Sequence, residues 1–285
     1  MKARLLRIAP FLPLIVLMAT AYVWPVAEII RGSFLSDDGR AAAWQNYKDV
    51  LNSYYFRDSL IFTLKISALS ALISAVLAVI LALALRESFA GRKFALFVSR
   101  YNLSVPRMAA AMMMVFLLSQ TGLLSAIARN LGSIGTAGDF PMLVYDSRGI
   151  GLIIAFTWKF FPYIGITALA ALTDASREYE LQAATLGIGK FKRFVHIVLP
   201  SIVPAVAVSS ILTFAAAFGD YELPAILGSS YRRSVSVMIY LKYLDPDMQD
   251  RPEAYALMVI TSAALMALIL TARRIASAGV RKRGL

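Results

Sequence analysis

Six apolar runs alternate with polar segments along the chain. They occupy about residues 8–30, 60–85, 106–118, 149–172, 201–227 and 254–271, with the third resuming after Gly122 as an amphipathic piece over 123–131. Each reaches or nearly reaches the roughly 20 helical residues needed to cross a hydrocarbon core. The pattern predicts an all-α polytopic membrane protein with six transmembrane helices, and no linker or internal repeat divides residues 1–285 into more than one domain. A cleaved signal peptide would use Ala19-Thr20-Ala21 as its cleavage site. The apolar character continues through Trp24, Pro25 and Val26, which favours an uncleaved anchor.

One polar island carries an ordered pattern of its own, residues 174–200. Ser176 can cap a short helix with Glu178 and Glu180 in its first turn, where negative charge suits the helix dipole. Gly187 should stop that helix by taking the left-handed conformation. Beyond it, Phe191, Phe194, Val195 and Val198 recur at the spacing of one helical face, with Lys190, Arg193 and His196 away from it. The expected form is a helix, a glycine elbow and a second amphipathic helix that ends at Pro200.

Composition agrees with the membrane reading. Hydrophobic residues make up 59% of the 285, with a mean hydropathy of +0.68, against roughly 45–50% apolar usage in soluble domains. There is no cysteine, so disulfides and thiolate metal sites are excluded. The net charge of +12 points to nucleic acid only if the cations form a footprint, and they do not. They cluster at run ends: Lys2, Arg4 and Arg7; Arg86, Arg92, Lys93 and Arg100; the patterned island; and Arg273, Arg274, Arg281, Lys282 and Arg283. Those four segments together carry +12, and the three alternate ones, residues 31–58, 132–148 and 228–253, carry −1. The positive-inside rule then puts both termini and the island in the cytoplasm. The aromatic group Trp44, Tyr47, Tyr54 and Tyr55 suits the outer interface.

Within the island, Gly187, Ile197, Leu199 and Pro200 stand in the register of a known signature: Glu-Ala-Ala, three residues, Gly, nine residues, Ile, one residue, Leu-Pro. Ala183 matches the second alanine, while Leu181 replaces the glutamate and Gln182 the first alanine. The chain therefore resembles the permease subunits of binding-protein-dependent ABC importers of type I, closely over its last two thirds and by topology and the Trp44, Asn46, Tyr47 neighbourhood over the rest. The resemblance implies the type I (MetI-like) permease fold and the bacterial inner membrane. It makes residues 174–200 a coupling loop that meets a cytoplasmic ATPase through Glu180, Leu181, Gln182, Ala183, Ala184, Gly187, Ile197, Leu199 and Pro200. Glu178 and Glu180 lie near enough to replace the missing glutamate. The implied partners are two ATPase subunits, a second permease subunit (a similar chain or a second copy), and a periplasmic or tethered substrate-binding protein, within membrane lipid. ATP and Mg would be bound by the ATPase, with no cofactor in this chain.

Enzyme chemistry finds little purchase. Gly187-Ile-Gly189-Lys190 resembles the end of a phosphate-binding loop, but Ala184 and Phe191 stand where that loop needs Gly and Ser or Thr. His196 is the only histidine and has no evident base or metal partner. Charge inside the spans is more informative, because it usually faces a protein interior or a wet path. Asp220, Tyr221 and Glu222, with Trp158 and Lys159, are the candidate substrate path, although Asp220 and Glu222 share a face only if the helix breaks at Gly219 or Pro224. The group Met108, Met112, Met113 and Met114 reads as adaptable packing. Phe218-Gly-Asp-Tyr-Glu-Leu-Pro and Asp250-Arg-Pro-Glu253 resemble the spermidine and putrescine permeases, so the expected cargo is a polyamine or related organic cation. The same relatives extend the alternatives to ferric iron, thiamine or a phosphonate. An ion-coupled secondary transporter, with Asp220 or Lys159 in a proton relay, is the alternative class.

Overall fold

The computed structural model describes residues 11–35, 44–172, 174–246 and 251–281. Lys2, Arg4, Arg7, Asp250, Lys282 and Arg283, and the start of the first run, lie outside them. The described elements are all helical: α1 (Leu12–Met18), α2 (Trp24–Gly32), α3 (Gln45–Asn52), α4 (Tyr54–Arg86), α5 (Arg92–Ser104), α6 (Arg107–Leu118), α7 (Leu123–Asn130), α8 (Ile150–Ala171), α9 (Asp174–Thr185), α10 (Lys190–Arg193), α11 (Leu199–Phe218), α12 (Glu222–Leu227), α13 (Val235–Tyr243) and α14 (Arg251–Arg281), with short π and 3-10 turns between some of them. Six stretches are long and apolar enough to span: Pro13–Gly32, Tyr54–Arg86, Arg107–Asn130, Ile150–Ala171, Lys190–Phe218 and Arg251–Arg274. The six runs read from hydropathy are these six.

The chain falls into two compact units. One comprises Met1–Arg57 and Met238–Ala264. In it the Asn46 amide donates to the carbonyls of Ser33 (2.9 Å) and Leu35 (2.8 Å), and Tyr47 shares a hydrogen bond with the Ser33 hydroxyl (2.6 Å), so α3 is tied to the end of α2. Tyr255 lies so close to Gly32 that a Cβ there would meet its ring at 2.6 Å. Lys242 pairs with Glu253 at 2.6 Å.

The other unit comprises Asp58–Val237 and Leu265–Leu285. Its centre is α8, which packs on α11 and α5, while α12 packs on α6. Phe62, Met114, Leu152, Phe156, Phe160 and Leu223 form part of one continuous buried cluster. Small residues let backbones approach, as membrane helices require: Ala78 and Ala82 are fully buried on α4. A Cβ on Gly165 of α8 would lie 2.8 Å from Leu81.

Several boundaries differ from the expectation. Helix α9 starts at Asp174, so Ser176 lies inside its first turn rather than capping it. The second helix of the island does not end at Pro200. After α10 the backbone makes a π turn over Phe194–Val198 and then enters α11, where Pro200 sits at the start. A proline lacks its N–H and crowds the carbonyl four residues back. Widening the turn beforehand relieves both demands and lets the helix run on. The extra residue also breaks the face read from periodicity: Val198 is buried but Phe191 is 78% exposed. The fifth run breaks at Gly219, separating α11 from α12, and the sixth span is longer than its apolar core. Helices α5 and α13 stand where the pattern reads as polar connections: charged residues interrupt the helical period of α5, and α13 is an apolar helix of nine residues within a polar segment.

Candidate functional site

The island folds into the elbow that its glycine demands. Gly187 takes φ +75°, its N–H donates to the Ala184 carbonyl (3.0 Å), and the Ile188 N–H donates to that of Ala183 (3.0 Å). This is the paired closure that ends helices at a left-handed residue. Around it Leu181, Gln182, Leu186 and Phe191 are exposed, Ala183 is buried, and Ala184, Ile197, Leu199 and Pro200 are half-buried. His196 is exposed, its ring nitrogen Nδ1 bonded to the Lys192 carbonyl at 2.9 Å.

Glu180 does not face outward with these residues. Its Oε2 lies 2.5 Å from Nη1 of Arg86, the last residue of α4, and its carbonyl accepts from Arg193 at 3.4 Å. The carboxylate is therefore engaged within the chain, which leaves the exposed Glu178 as the acid available at the surface. Arg86 was legible only as a charge at a run end. Its role needs the fold to bring α4 and α9 together.

The second constellation surrounds a cavity of about 490 Å³, lined by Leu103, Ser104, Val105, Pro106, Arg107, Lys159, Phe160, Tyr163, Leu212, Thr213 and Ala216. Lys159 is buried on α8, and its Nζ donates to the carbonyls of Asn102 (2.7 Å) and Val105 (2.5 Å) at the end of α5. The Asn102 carbonyl also accepts the Val105 N–H at 3.3 Å, so the lysine adds a charged donor where the helix runs out of backbone donors. Asn102 returns a bond from its amide to the Trp158 carbonyl at 3.1 Å. Lys159 thus fixes the break between α5 and α6 that Pro106 imposes.

Asp220 is buried beyond this lining. Its Oδ2 stands 3.1 Å from Nη1 of Arg107, Oδ1 accepts the Leu223 N–H at 3.1 Å, and its carbonyl accepts from the Ser236 hydroxyl at 2.5 Å. Of the expected path residues, Lys159 lines the cavity and Asp220 reaches it through Arg107. Trp158, Tyr221 and Glu222 are half-buried outside the lining. Arg107 is the residue that sequence reading passed over, since a cation at the mouth of an apolar run looks like ordinary topology.

The chain belongs to the binding-protein-dependent transport system inner membrane component family, whose model matches residues 74–282. It is 29% identical over 163 residues to the molybdenum transport system permease protein ModB of Mycobacterium bovis, a match covering 56% of this chain and 58% of that protein. The chain thus spans less than two thirds of the length of that relative. It is 26% identical over 253 residues to the sn-glycerol-3-phosphate transport system permease protein UgpA of Agrobacterium fabrum, covering 84% of each. A solved bacterial ABC transporter involved in the import of the acidic polysaccharide alginate matches with TM-score 0.80 at 21% identity, over 97% of this chain and 96% of that one. That likeness shows the same fold, an all-α permease with six transmembrane helices.

Proposed function

We propose that this chain is a membrane-spanning subunit of an ATP-driven importer, multi-pass with both termini cytoplasmic, which holds no cofactor itself and receives energy at residues 174–200. The observation that carries the reading is the elbow. A left-handed glycine closes α9 amid exposed Leu181, Leu186 and Phe191, an apolar surface suited to a protein partner. Glu180 links α9 to the end of the second span through Arg86. A push on the elbow would travel by that link and by α10, the π turn and α11. Moving a two-state pore from 1:99 to 99:1 takes about 5.5 kcal/mol of differential binding, well within what a closing ATPase dimer can supply through two such loops. The partners in this reading are two ATPase subunits that bind ATP and Mg, a second permease subunit and a substrate-binding protein.

The polyamine expectation rested on the resemblance of residues 218–224 and 250–253 to the spermidine and putrescine permeases, with Asp220 and Glu222 as acids that would suit a cation. Asp220 is instead paired with Arg107, and Glu222 lies outside the lining. The relatives are named for molybdenum, glycerol 3-phosphate and sulfate, which supports an anionic cargo over a cationic one.

The test is isolation of the chain from its native membrane. An ATPase should accompany it, with turnover that rises when the loaded binding protein is added. Uptake into vesicles by this chain alone, driven by an ion gradient without ATP, would favour the secondary transporter and end the importer reading.

A further inference from the structure

We propose that the cavity beside α6 is an anion-binding station on the translocation path, with Arg107 as the group that touches the ligand and Asp220 as the fixed counter-ion that holds Arg107 between ligands. Its place on the path rests on the permease reading above. The binding chemistry does not.

The lining contains two cations and no carboxylate. Lys159 is about nine-tenths buried and spends two of its three donors on the Asn102 and Val105 carbonyls. Among the described residues no carboxylate pairs with it. Carbonyl dipoles solvate the ammonium but leave its unit charge uncompensated, an unfavourable condition at membrane depth. An anion in the cavity would supply the missing charge.

Arg107 and Asp220 differ in freedom. The Asp220 side chain is 1% exposed and is held by the Leu223 N–H, whereas the Arg107 side chain is 42% exposed and lines the cavity. The aspartate is therefore the anchored member and the arginine the mobile one. A guanidinium has five N–H donors in a planar fork, and only Nη1 meets Asp220. The remaining donors suit the paired oxygens of a carboxylate, sulfate or phosphate. Arg107 is also the first residue of the twelve-residue α6, whose N-terminal dipole adds to the same field. A polycation would meet this field with the wrong sign.

The experiment uses the full-length chain in phosphatidylcholine nanodiscs at constant ionic strength. Sulfate, molybdate, glycerol 3-phosphate and spermidine are titrated separately, reading fluorescence (Trp158 adjoins Lys159) and the thermal midpoint. At least one anion should register and spermidine should not. Lys159→Gln should weaken the anion response about tenfold or more. So should Arg107→Gln combined with Asp220→Asn, which removes both charges without stranding a buried carboxylate. Asp220→Asn alone should tighten binding, and the exposed control Lys93→Gln should leave it unchanged. The assignment is overturned if no anion registers with the native chain, if the response survives in both the Lys159 and the Arg107 variants, or if spermidine binds in a manner that needs Asp220. In nanodiscs containing phosphatidylglycerol, a response to that lipid without one to the soluble anions would make this a headgroup site and overturn its place on the path. A chain that recruits an ATPase but binds no anion loses only this assignment. One that binds anions but recruits no ATPase loses the importer reading and keeps the site.

Discussion

Gly187 and Gly151 are constrained for opposite reasons. Gly187 has open space around it and φ +75°, so a substitution there is penalised by the backbone alone. Gly187→Val should cost about 1–2 kcal/mol and reduce transport per ATP hydrolysed, while Gly187→Asn should stay close to native, since asparagine tolerates the left-handed region. A ratio of uptake to ATPase rate that is unchanged in the valine variant would remove the elbow from the coupling scheme. Gly151 has no such backbone demand, but a Cβ there would lie 1.8 Å from the Leu143 carbonyl oxygen. Gly151→Ala should therefore lower the thermal midpoint and the folded yield by forcing the preceding loop away, at a cost of about 1–3 kcal/mol. The first constraint was legible in the sequence because a helix stop is a local event. The second was not, because its partner arrives from a loop whose path the pattern does not fix. Asp220 shows the same divide: its charge at depth marked it as consequential, but which cation answered it depended on α6 and α12 packing together.

At the scale of elements, the link between α4 and α9 is the clearest mechanical prediction. The Arg86 and Glu180 side chains are 15% and 28% exposed, between a surface pair and a buried one. Breaking such a pair should cost about 1–3 kcal/mol. Arg86→Glu and Glu180→Arg should each uncouple ATP hydrolysis from uptake, and the double exchange should recover much of it. Recovery distinguishes a direct pair from two residues that merely help folding; if the double variant is as poor as the worse single one, α4 is not driven through this contact. Helical spacing found α9, the elbow and the register of Pro200. It could not foresee the π turn over Phe194–Val198, because that turn answers a proline demand by changing the period itself. Helices α5 and α13 escaped for different reasons: α5 carries charged and polar residues around much of its surface, whereas α13 is mostly apolar but spans only nine residues inside a polar segment.

Over the whole molecule, charge placement and hydropathy were enough to find the six spans, because the bilayer imposes length and sidedness on every segment at once. What they could not find is which charges meet, as the pairs Arg107–Asp220 and Arg232–Asp58 each join separate helices or loops. The sidedness itself has a direct test, since the chain contains no cysteine and single cysteines can be placed without other changes. Lys93 and Phe191 are exposed in segments assigned to the cytoplasm, and Tyr231 is 91% exposed in one assigned to the outside. In intact spheroplasts, Tyr231→Cys should react with a membrane-impermeant maleimide, while Lys93→Cys and Phe191→Cys should react only after permeabilisation. If an ATPase shields the elbow, Phe191→Cys should stay slow in the assembled transporter even then, and speed up when the ATPase is stripped away. Labelling of Lys93→Cys from outside would invert the topology and remove residues 174–200 from reach of any cytoplasmic partner.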